Sequence, residues 1–233
     1  MPSLLKALVN RDRIKIIAEV KRASPSHGKF PAHDLVKLVR AYEQGGASAI
    51  SVVTEEKNFL GSLELLQKIR ALTTLPILRK DFIKNIKEID ESKKYGADAI
   101  LLISRILSGE KLAEFTHHAA KVGIETVIEV HEKDDIIKIP ADYRGIIGIN
   151  NRDLKSLATN TEYAEQLLPQ LNGKYALIAE SGFKKPSELL PYKGKVNGAL
   201  IGTALLTSEN PRRMLEAFTA FSKSAAPTAN HLP

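Results

Sequence analysis

Short runs of β-branched and other apolar residues alternate with helix-like stretches along most of the chain. These runs have the length and composition of buried parallel strands. The predicted strands are Ile16–Val20, Ala49–Val53, Ile77–Lys80, Ala99–Ile103, Thr126–Val130, Ile146–Asn150, Ala176–Glu180 and Ala199–Gly202. The predicted helices are Pro31–Gln44, Ser62–Leu72, Ile86–Tyr95, Ser108–Val122, Glu132–Lys138, Glu162–Leu171, Lys184–Pro191 and Pro211–Phe221.

Glycines occur at the ends of several predicted helices. Gly45-Gly46, Gly96 and Gly123 stand where a left-handed cap favours glycine, and each precedes a strand. The phrases GGASAISVV, YGADAILLI and VGIETVIEV therefore look like copies of one supersecondary unit. Eight βα units without a break in composition predict a single (β/α)8 TIM barrel rather than an open, doubly wound α/β sheet.

The two ends of the chain differ from the repeated part. Leu4–Val9 is predicted as a short helix that caps the barrel, within an N-terminal extension of residues 1–13. We expect the barrel domain to occupy residues 1–223 and the small, polar tail 224–233 to be disordered. No G-x-G-x-x-G or G-x-x-x-x-G-K-[ST] motif occurs, which argues against dinucleotide-binding and P-loop folds.

Charge and composition narrow the class of partner. A net charge of +7 favours anionic partners, but the basic residues are scattered along predicted helix faces and aromatics make up only 6%. We therefore expect a phosphorylated small molecule and no nucleic acid. No apolar run approaches the ~20 residues of a membrane helix, no secretory signal is recognisable and cysteine is absent. These features favour a cytoplasmic protein without membrane contact, either a monomer or a weak homo-oligomer.

The segment Pro76–Phe82, PILRKDF, places charge at the end of a buried strand. A long cationic side chain is unfavourable inside a core unless it is paired or faces a polar cavity. Lys80 is therefore a candidate functional group, and in a barrel it would lie at the catalytic face. The alternative is that Lys80 reaches solvent or pairs with Asp81.

Other predicted strands also end in polar or charged residues, which a barrel would bring to one cavity. In chain order the candidates are Glu19, Lys21, Thr54, Lys80, Leu101, Glu129, Asn150, Arg152 and Glu180. Clusters of mixed charge in clefts are where perturbed pKa values arise. Taken singly, Glu19 could pair with Lys21 and Glu129 with His131. The recurrence of ionisable groups at one position favours a functional cluster.

The turns after the last two strands have a different chemistry. Ser181-Gly182 and Gly202-Thr203 match the usual phosphate-binding corner of barrels, where glycine allows backbone N–H groups to approach the anion. The first loop, Arg22–Gly28, is either an ordinary connection or a mobile lid over an anionic substrate.

The histidines give no functional signal of their own. His27 is expected to be exposed, and His117 and His118 to lie on a helix surface. No His, Asp or Glu group has metal-ligand spacing, so no metal is expected.

Motifs at the strand ends resemble the indole-3-glycerol-phosphate synthase family of tryptophan biosynthesis, over almost the whole chain. They are IIAEVKRASPSHG, SVVTEEKNFLGSLELL, PILRKDFI, GADAILLI, VIEVH, IGINNRDL, IAESG and LIGTALL, in the order of the family. The resemblance implies a carboxy-lyase that closes the ring of 1-(2-carboxyphenylamino)-1-deoxyribulose 5-phosphate with loss of carbon dioxide and water. No organic cofactor is expected, because no redox step or acyl group needs a carrier.

The resemblance also implies roles for individual residues. Lys80 matches the general acid, with a pKa expected to be lowered by the cavity and by Lys21. Glu129, Glu19 and Lys21 match the groups of the dehydration step, whose individual proton transfers stay unassigned. Asn150 and Glu180 are expected to orient substrate hydroxyls and the lysines.

The remaining matched residues imply binding contacts. Lys21 and Ser24 are expected to meet the carboxylate or phosphate, and Arg152 to support Asn150 and the carboxylate side. Phe59, Phe82 and Leu101 are expected to form an apolar wall against the aromatic ring. Ser181, Gly182, Gly202 and Thr203 match the phosphate corner.

One departure from the family concerns the N-terminus. Members usually carry longer N-terminal helices that fold over the catalytic face, whereas only Ser3–Arg13 precedes the first predicted strand here. Water exclusion and substrate affinity could suffer as a result. Two other functions stay open from the residues: a phosphate-binding barrel with Lys80 as Schiff-base nucleophile, and a ligand-binding barrel without catalysis.

Overall fold

Eight parallel strands close into a barrel in the computed structural model, which describes residues 2–9, 13–152, 162–171 and 173–223. The barrel strands are β1 (Lys15–Val20), β4 (Ala49–Val53), β5 (Ile77–Lys80), β6 (Ala99–Ile103), β7 (Glu125–Val130), β8 (Ile146–Asn150), β9 (Ala176–Glu180) and β10 (Gly198–Ile201). Each pairs with its neighbours along the chain, and β1 pairs with both β4 and β10 to close the sheet. The predicted (β/α)8 TIM barrel is confirmed, whereas the tail 224–233 lies outside the described residues.

Helices follow the strands and cover the outside of the barrel. They are α1 (Leu4–Leu8), α2 (Leu35–Gln44), α3 (Leu63–Arg70), α4 (Ile86–Lys94), α5 (Gly109–Val122), α6 (Lys133–Ile137), α7 (Glu162–Leu171), α8 (Thr203–Leu206) and α9 (Pro211–Lys223), with a 3₁₀ helix at Pro186–Tyr192. Gly46, Gly96 and Gly123 all have positive φ, as expected for glycines that end helices.

Local chemistry explains where the elements differ from the predictions. Helix α2 begins at Leu35 rather than Pro31, because the Asp34 side chain accepts hydrogen bonds from the first free N–H groups. The segment predicted as a helix at Lys184–Pro191 is a 3₁₀ helix, and Pro191 inside it lacks an N–H for an α-helical bond. The first loop contains a short antiparallel pair, β2 (Ala23–Ser24) and β3 (Gly28–Lys29), which the prediction missed.

Side chains that point into the barrel alternate with side chains that point to the helices. The outward set packs against the helices as the main hydrophobic core. Inside the barrel, an apolar layer from alternate strands contains Ile17, Leu78, Val127 and Ile178. Two residues further along each of these strands stand Glu19, Lys80, Glu129 and Glu180. Because the period of a strand is two, one inward layer is apolar and the next is charged.

Helix α1 closes the barrel at the end opposite these charged residues. Leu4 and Leu8 are fully buried and belong to the apolar cluster inside the barrel. The Ser3 hydroxyl and the Leu5 N–H donate to Glu125, at 2.5 and 3.0 Å, and Asn197 donates to the Leu8 carbonyl. The short helix thus lies where the sequence predicted it, and it does not cover the catalytic face. Within the described residues no helix is long and apolar enough to cross a membrane.

Leu8→Ala should lower the free energy of unfolding by roughly 2–5 kcal/mol, because it leaves a cavity in the floor of the barrel. Urea unfolding followed by circular dichroism measures the change. Lys6→Ala, at an exposed position of the same helix, is the control and should be near neutral. A Leu8→Ala variant as stable as the wild type would mean that α1 does not fill the barrel end in solution.

Candidate active site

A cavity of about 580 Å³ opens at the carboxyl ends of the barrel strands. Every residue that the sequence assigned to catalysis, substrate binding or phosphate binding lines it. These are Glu19, Lys21, Ser24, Phe59, Lys80, Phe82, Leu101, Glu129, Asn150, Arg152, Glu180, Ser181, Gly182, Gly202 and Thr203. The closure of the barrel therefore brings together residues up to 184 positions apart, from Glu19 to Thr203 (203 − 19 = 184).

Lys80 lies between two buried carboxylates from other strands. Its Nζ is 2.5 Å from Glu180 Oε2 and 3.1 Å from Glu129 Oε2. The possibility that Lys80 pairs with Asp81 is wrong, because Asp81 binds Arg79 Nη2 at 2.9 Å. Arg79 points the other way, towards α4, as consecutive strand residues must.

The charge of Lys80 follows from these neighbours. Burial disfavours the ammonium, but the carboxylates of Glu180, Glu129 and Glu19 outweigh it and raise the pKa of Lys80. The expectation of a lowered pKa is therefore wrong. It rested on burial in the cavity and on repulsion from Lys21, whereas the carboxylates outweigh the burial and Lys21 is itself bound to Glu19 at 2.6 Å.

The two carboxylates on Lys80 differ in their ionisation. Burial raises the pKa of Glu180 to about 7, against the opposing effect of Lys80. Burial also opposes ionisation of Glu129, but Lys80 and His131 outweigh it and lower the pKa of that carboxyl. Two buried glutamates with pKa values pushed apart suit opposite acid and base roles. Among the described side chains no group of His, Asp and Glu is arranged to hold a metal ion.

Glu19 and Lys21 form a second ion pair on the cavity wall. Their contact, Nζ to Oε1, is 2.6 Å, and both side chains are largely buried. The pairing that the sequence offered as a structural alternative is thus present, yet both residues line the cavity. Lys21 Nζ also lies 5.5 Å from the centre of the Phe30 ring.

Two glycines make room for the buried carboxylates. A Cβ on Gly148 would collide with Glu180 Oε1, and a Cβ on Gly202 would collide with Glu19 Oε1. The sequence assigned Gly202 to phosphate binding alone and missed Gly148. The signal was a glycine inside the buried run IIGIN, which often marks a close approach.

The turns after β9 and β10, which the sequence predicted as a phosphate corner, both line the cavity. Ser181 and Gly182 both have positive φ, at 67° and 94°, which turns the backbone sharply after β9. Gly202 and Thr203 lead directly into α8. Lys184, which the sequence analysis did not single out, lines the cavity beside this corner and adds a cation.

The first loop, which follows β1, also lines the cavity through residues such as Ser24 and His27. The N–H of Ala23 donates to the Phe59 carbonyl at 3.0 Å, which joins the loop after β1 to the loop after β4. His27 is exposed, as predicted, and stacks on Phe30 with ring centres 4.4 Å apart. The buried Ser24 hydroxyl has no hydrogen-bond partner within the described residues.

Comparison with known proteins identifies similar sequences along the whole barrel. The sequence profile described as indole-3-glycerol phosphate synthase matches residues 2–218. The chain is 42% identical over 210 residues to the indole-3-glycerol phosphate synthase of Aquifex aeolicus, covering 89% of this chain and 82% of the relative. It is 39% identical over 219 residues to the indole-3-glycerol phosphate synthase of Pyrococcus furiosus, covering 92% and 96% of the two chains.

The free energy of unfolding of the wild type, relative to that of Glu180→Gln, should decrease as the pH rises from about 5 to about 8. The pKa of the folded-state carboxyl, about 7, lies above the ordinary 4.5. The folded state therefore holds this proton more tightly, and rising pH through this window removes stability. We expect a change on the order of 1–3 kcal/mol, measured by urea unfolding at both pH values.

Glu114→Gln, at an exposed position of α5, is the matched control for this titration. Its stability relative to the wild type should change little with pH. A wild type that instead gains stability over Glu180→Gln as the pH rises would contradict the raised pKa of Glu180.

Proposed function

We propose a mechanism for this cavity from the premise that the chain belongs to the indole-3-glycerol phosphate synthase family, given its match to the profile and its relatives. The protein is a carboxy-lyase of tryptophan biosynthesis. It closes the indole ring of 1-(2-carboxyphenylamino)-1-deoxyribulose 5-phosphate with loss of carbon dioxide and water. The position of Lys80 between Glu129 and Glu180 in the cavity is the observation that carries the mechanism.

Ring closure requires a proton for the ketone oxygen while the aromatic carbon attacks the ketone carbon. Lys80 is the proton donor in this proposal, because its ammonium stays charged beside Glu129 and Glu180. The developing alkoxide is a much stronger base than either carboxylate, so a raised pKa does not prevent the transfer. Carbon dioxide then leaves from the ring carbon that made the attack, and the electron pair of the broken bond restores the aromatic ring.

Loss of water needs one group that protonates the departing hydroxyl and one that removes a proton from the new ring. Lys21 carries the ammonium suited to the first transfer, and Glu19 holds it at 2.6 Å. Glu129 is suited to the second, since its lowered pKa keeps a carboxylate available as base. Glu180 orients Lys80 through the 2.5 Å contact.

The ends of the substrate differ in charge and polarity, and so do the walls of the cavity. Phe59, Phe82 and Leu101 provide an apolar surface for the aromatic ring.

Polar groups receive the carboxylate and the phosphate of the substrate. Ser24 and Arg152 lie on the side of the cavity proposed for the carboxylate. Asn150 Oδ1 accepts a hydrogen bond from the backbone N–H of Arg152 at 3.0 Å. The corner of Ser181, Gly182, Gly202 and Thr203 receives the phosphate.

The charge of Lys80 weighs against a Schiff-base reaction. A lysine nucleophile needs a neutral amine, which enzymes obtain by lowering its pKa. The carboxylates around Lys80 do the opposite.

The cellular location and the partners of the protein follow from the type of reaction rather than from the cavity. We propose a cytoplasmic location, which a phosphorylated biosynthetic intermediate supports. The expectation of a monomer or weak homo-oligomer without a nucleic-acid partner stays a prediction.

Lys80→Ala should lower kcat by about 10²- to 10⁴-fold while product affinity is largely kept, because it removes the general acid. Indole fluorescence measures turnover, and equilibrium titration measures product binding. Lys87→Ala, at an exposed position of α4, is the control with normal turnover. Near-normal turnover of Lys80→Ala would refute the assignment of Lys80 as general acid. Borohydride trapping of a carbonyl substrate on Lys80 would instead identify Lys80 as a Schiff-base nucleophile.

Thr203→Val should raise KM for the substrate at least about tenfold with little change in kcat, because a hydrogen bond to a charged group contributes about 1.5–3 kcal/mol. Steady-state kinetics with the phosphorylated substrate test this. Thr207→Val, at the other end of α8, removes an equivalent hydroxyl outside the cavity and should leave KM unchanged. An unchanged KM in Thr203→Val would exclude its hydroxyl from the phosphate corner.

A further inference from the structure

His131 is a buried histidine directly behind the cavity, and the mechanism above does not use it. It follows the last residue of β7 and is only 4% exposed. Neither ring nitrogen has a hydrogen-bond partner of acceptable geometry within the described part of the chain. Buried polar atoms without partners are uncommon in folded proteins, so the position calls for a physical reason.

The ring of His131 lies between two buried carboxylates. Its Nε2 is 3.3 Å from Glu129 Oε1, and its Nδ1 is 3.9 Å from Asp135 Oδ2. Both distances are short enough for electrostatic attraction, and a small rotation of the ring or of the Glu129 carboxylate would align the first contact as a hydrogen bond.

Glu129 uses its two oxygens in opposite directions. Oε2 faces Lys80 at 3.1 Å, and Oε1 faces His131. His131 itself is not among the residues that line the cavity, so it reaches a substrate only through Glu129.

Asp135 is fixed in place at the start of α6. Its Oδ2 accepts hydrogen bonds from the backbone N–H groups of His131 and Glu132, at 2.9 and 3.3 Å. Lys138 Nζ lies 3.7 Å from its Oδ1. The charged groups that face the His131 ring are thus Glu129 from β7 and Asp135 from α6, with Lys138 behind Asp135. This arrangement holds the ring from one side and leaves Nε2 directed at the reacting carboxylate.

We propose that His131 is a positioning residue for Glu129, which holds Oε1 so that Oε2 keeps its orientation towards Lys80 and the substrate. The inference rests on the proposed role of Glu129 in the reaction. His131 also contributes to lowering the pKa of Glu129, which agrees with a histidine that stabilises the carboxylate.

Two substitutions of nearly equal size separate positioning from structure. In His131→Gln the amide nitrogen reaches about as far as Nε2, so it can still donate to Glu129. In His131→Asn the amide reaches only as far as Nδ1, so it can keep the contact with Asp135 but loses the contact with Glu129. His118→Asn is the control, because His118 binds Asp90 at 2.7 Å on the surface of α5.

We expect His131→Asn to lower kcat about 10- to 30-fold with KM within about threefold, and His131→Gln to restore kcat to within about threefold of the wild type. The acid limb of the kcat profile should move to higher pH in His131→Asn, because Glu129 loses a favourable neighbour. His118→Asn should match the wild type in kcat, KM and pH profile.

Glu129→Gln, assayed in parallel, separates this inference from the proposed function. Normal turnover of Glu129→Gln would overturn the role of Glu129 and the inference with it. Impaired Glu129→Gln with unchanged kcat and pH profile in His131→Asn, or equal losses in His131→Asn and His131→Gln, would overturn the inference alone.

If neither His131 variant folds, histidine NMR of the ¹⁵N-labelled wild type and of Glu129→Gln gives the answer. The Nε2 signal of His131 should shift between the two, and an unchanged signal would overturn the inference.

Discussion

An ammonium group inside a barrel is stable only if negative charge lies within a few ångströms of it. Here that charge comes from carboxylates on other strands, and Lys80 touches two of them, Glu129 and Glu180. Glu19, Lys80, Glu129 and Glu180 stand on alternate barrel strands and form one layer, directly above an apolar layer. Layers of four side chains from alternate strands are how barrels of this kind fill their interior. The proposed active site is thus the first layer of the barrel interior whose side chains are charged.

The balance of charge in this layer explains the unequal ionisation of its members. Lys21 neutralises Glu19 at 2.6 Å, which leaves Lys80 to compensate both Glu129 and Glu180. Burial raises the pKa of Glu180 to about 7, because one ammonium cannot fully stabilise two buried carboxylates, while Lys80 and His131 together lower the pKa of Glu129. The same shortage of positive charge raises the pKa of Lys80. A single fixed geometry therefore supplies a proton donor and a base at neutral pH.

Much of this arrangement could be predicted from the sequence, because strand composition and the polar residue at each strand end are local features. The bounds of β4, β5, β6, β8 and β9 agree with the prediction. Every residue to which the sequence assigned a role in catalysis or binding lines the cavity, whereas the candidate Thr54 does not and instead donates to Asp81. Only the family resemblance placed Glu180 near the lysines, since Glu180 is 100 positions away from Lys80 and the closed barrel is what brings the two together. The predicted direction of the Lys80 pKa shift was wrong because it depends on distances to carboxylates that only the closed barrel fixes.

Features that depend on fit across strands were also beyond the sequence. Gly148 matters because Glu180 of the next strand occupies the space that its side chain would fill. The role inferred for His131 depends on a ring held between β7 and α6, which a Glu129–His131 spacing of two does not reveal.

The carboxylate layer should keep Lys80 charged throughout the neutral range. Lysine side-chain NMR on the ¹⁵N-labelled protein tests it most directly, with the Lys80 signal assigned by its loss in Lys80→Arg. We expect no titration of this signal from about pH 6 to about pH 10, because the pKa lies above the ordinary 10.5. A titration with a midpoint near pH 7 or 8 would contradict it.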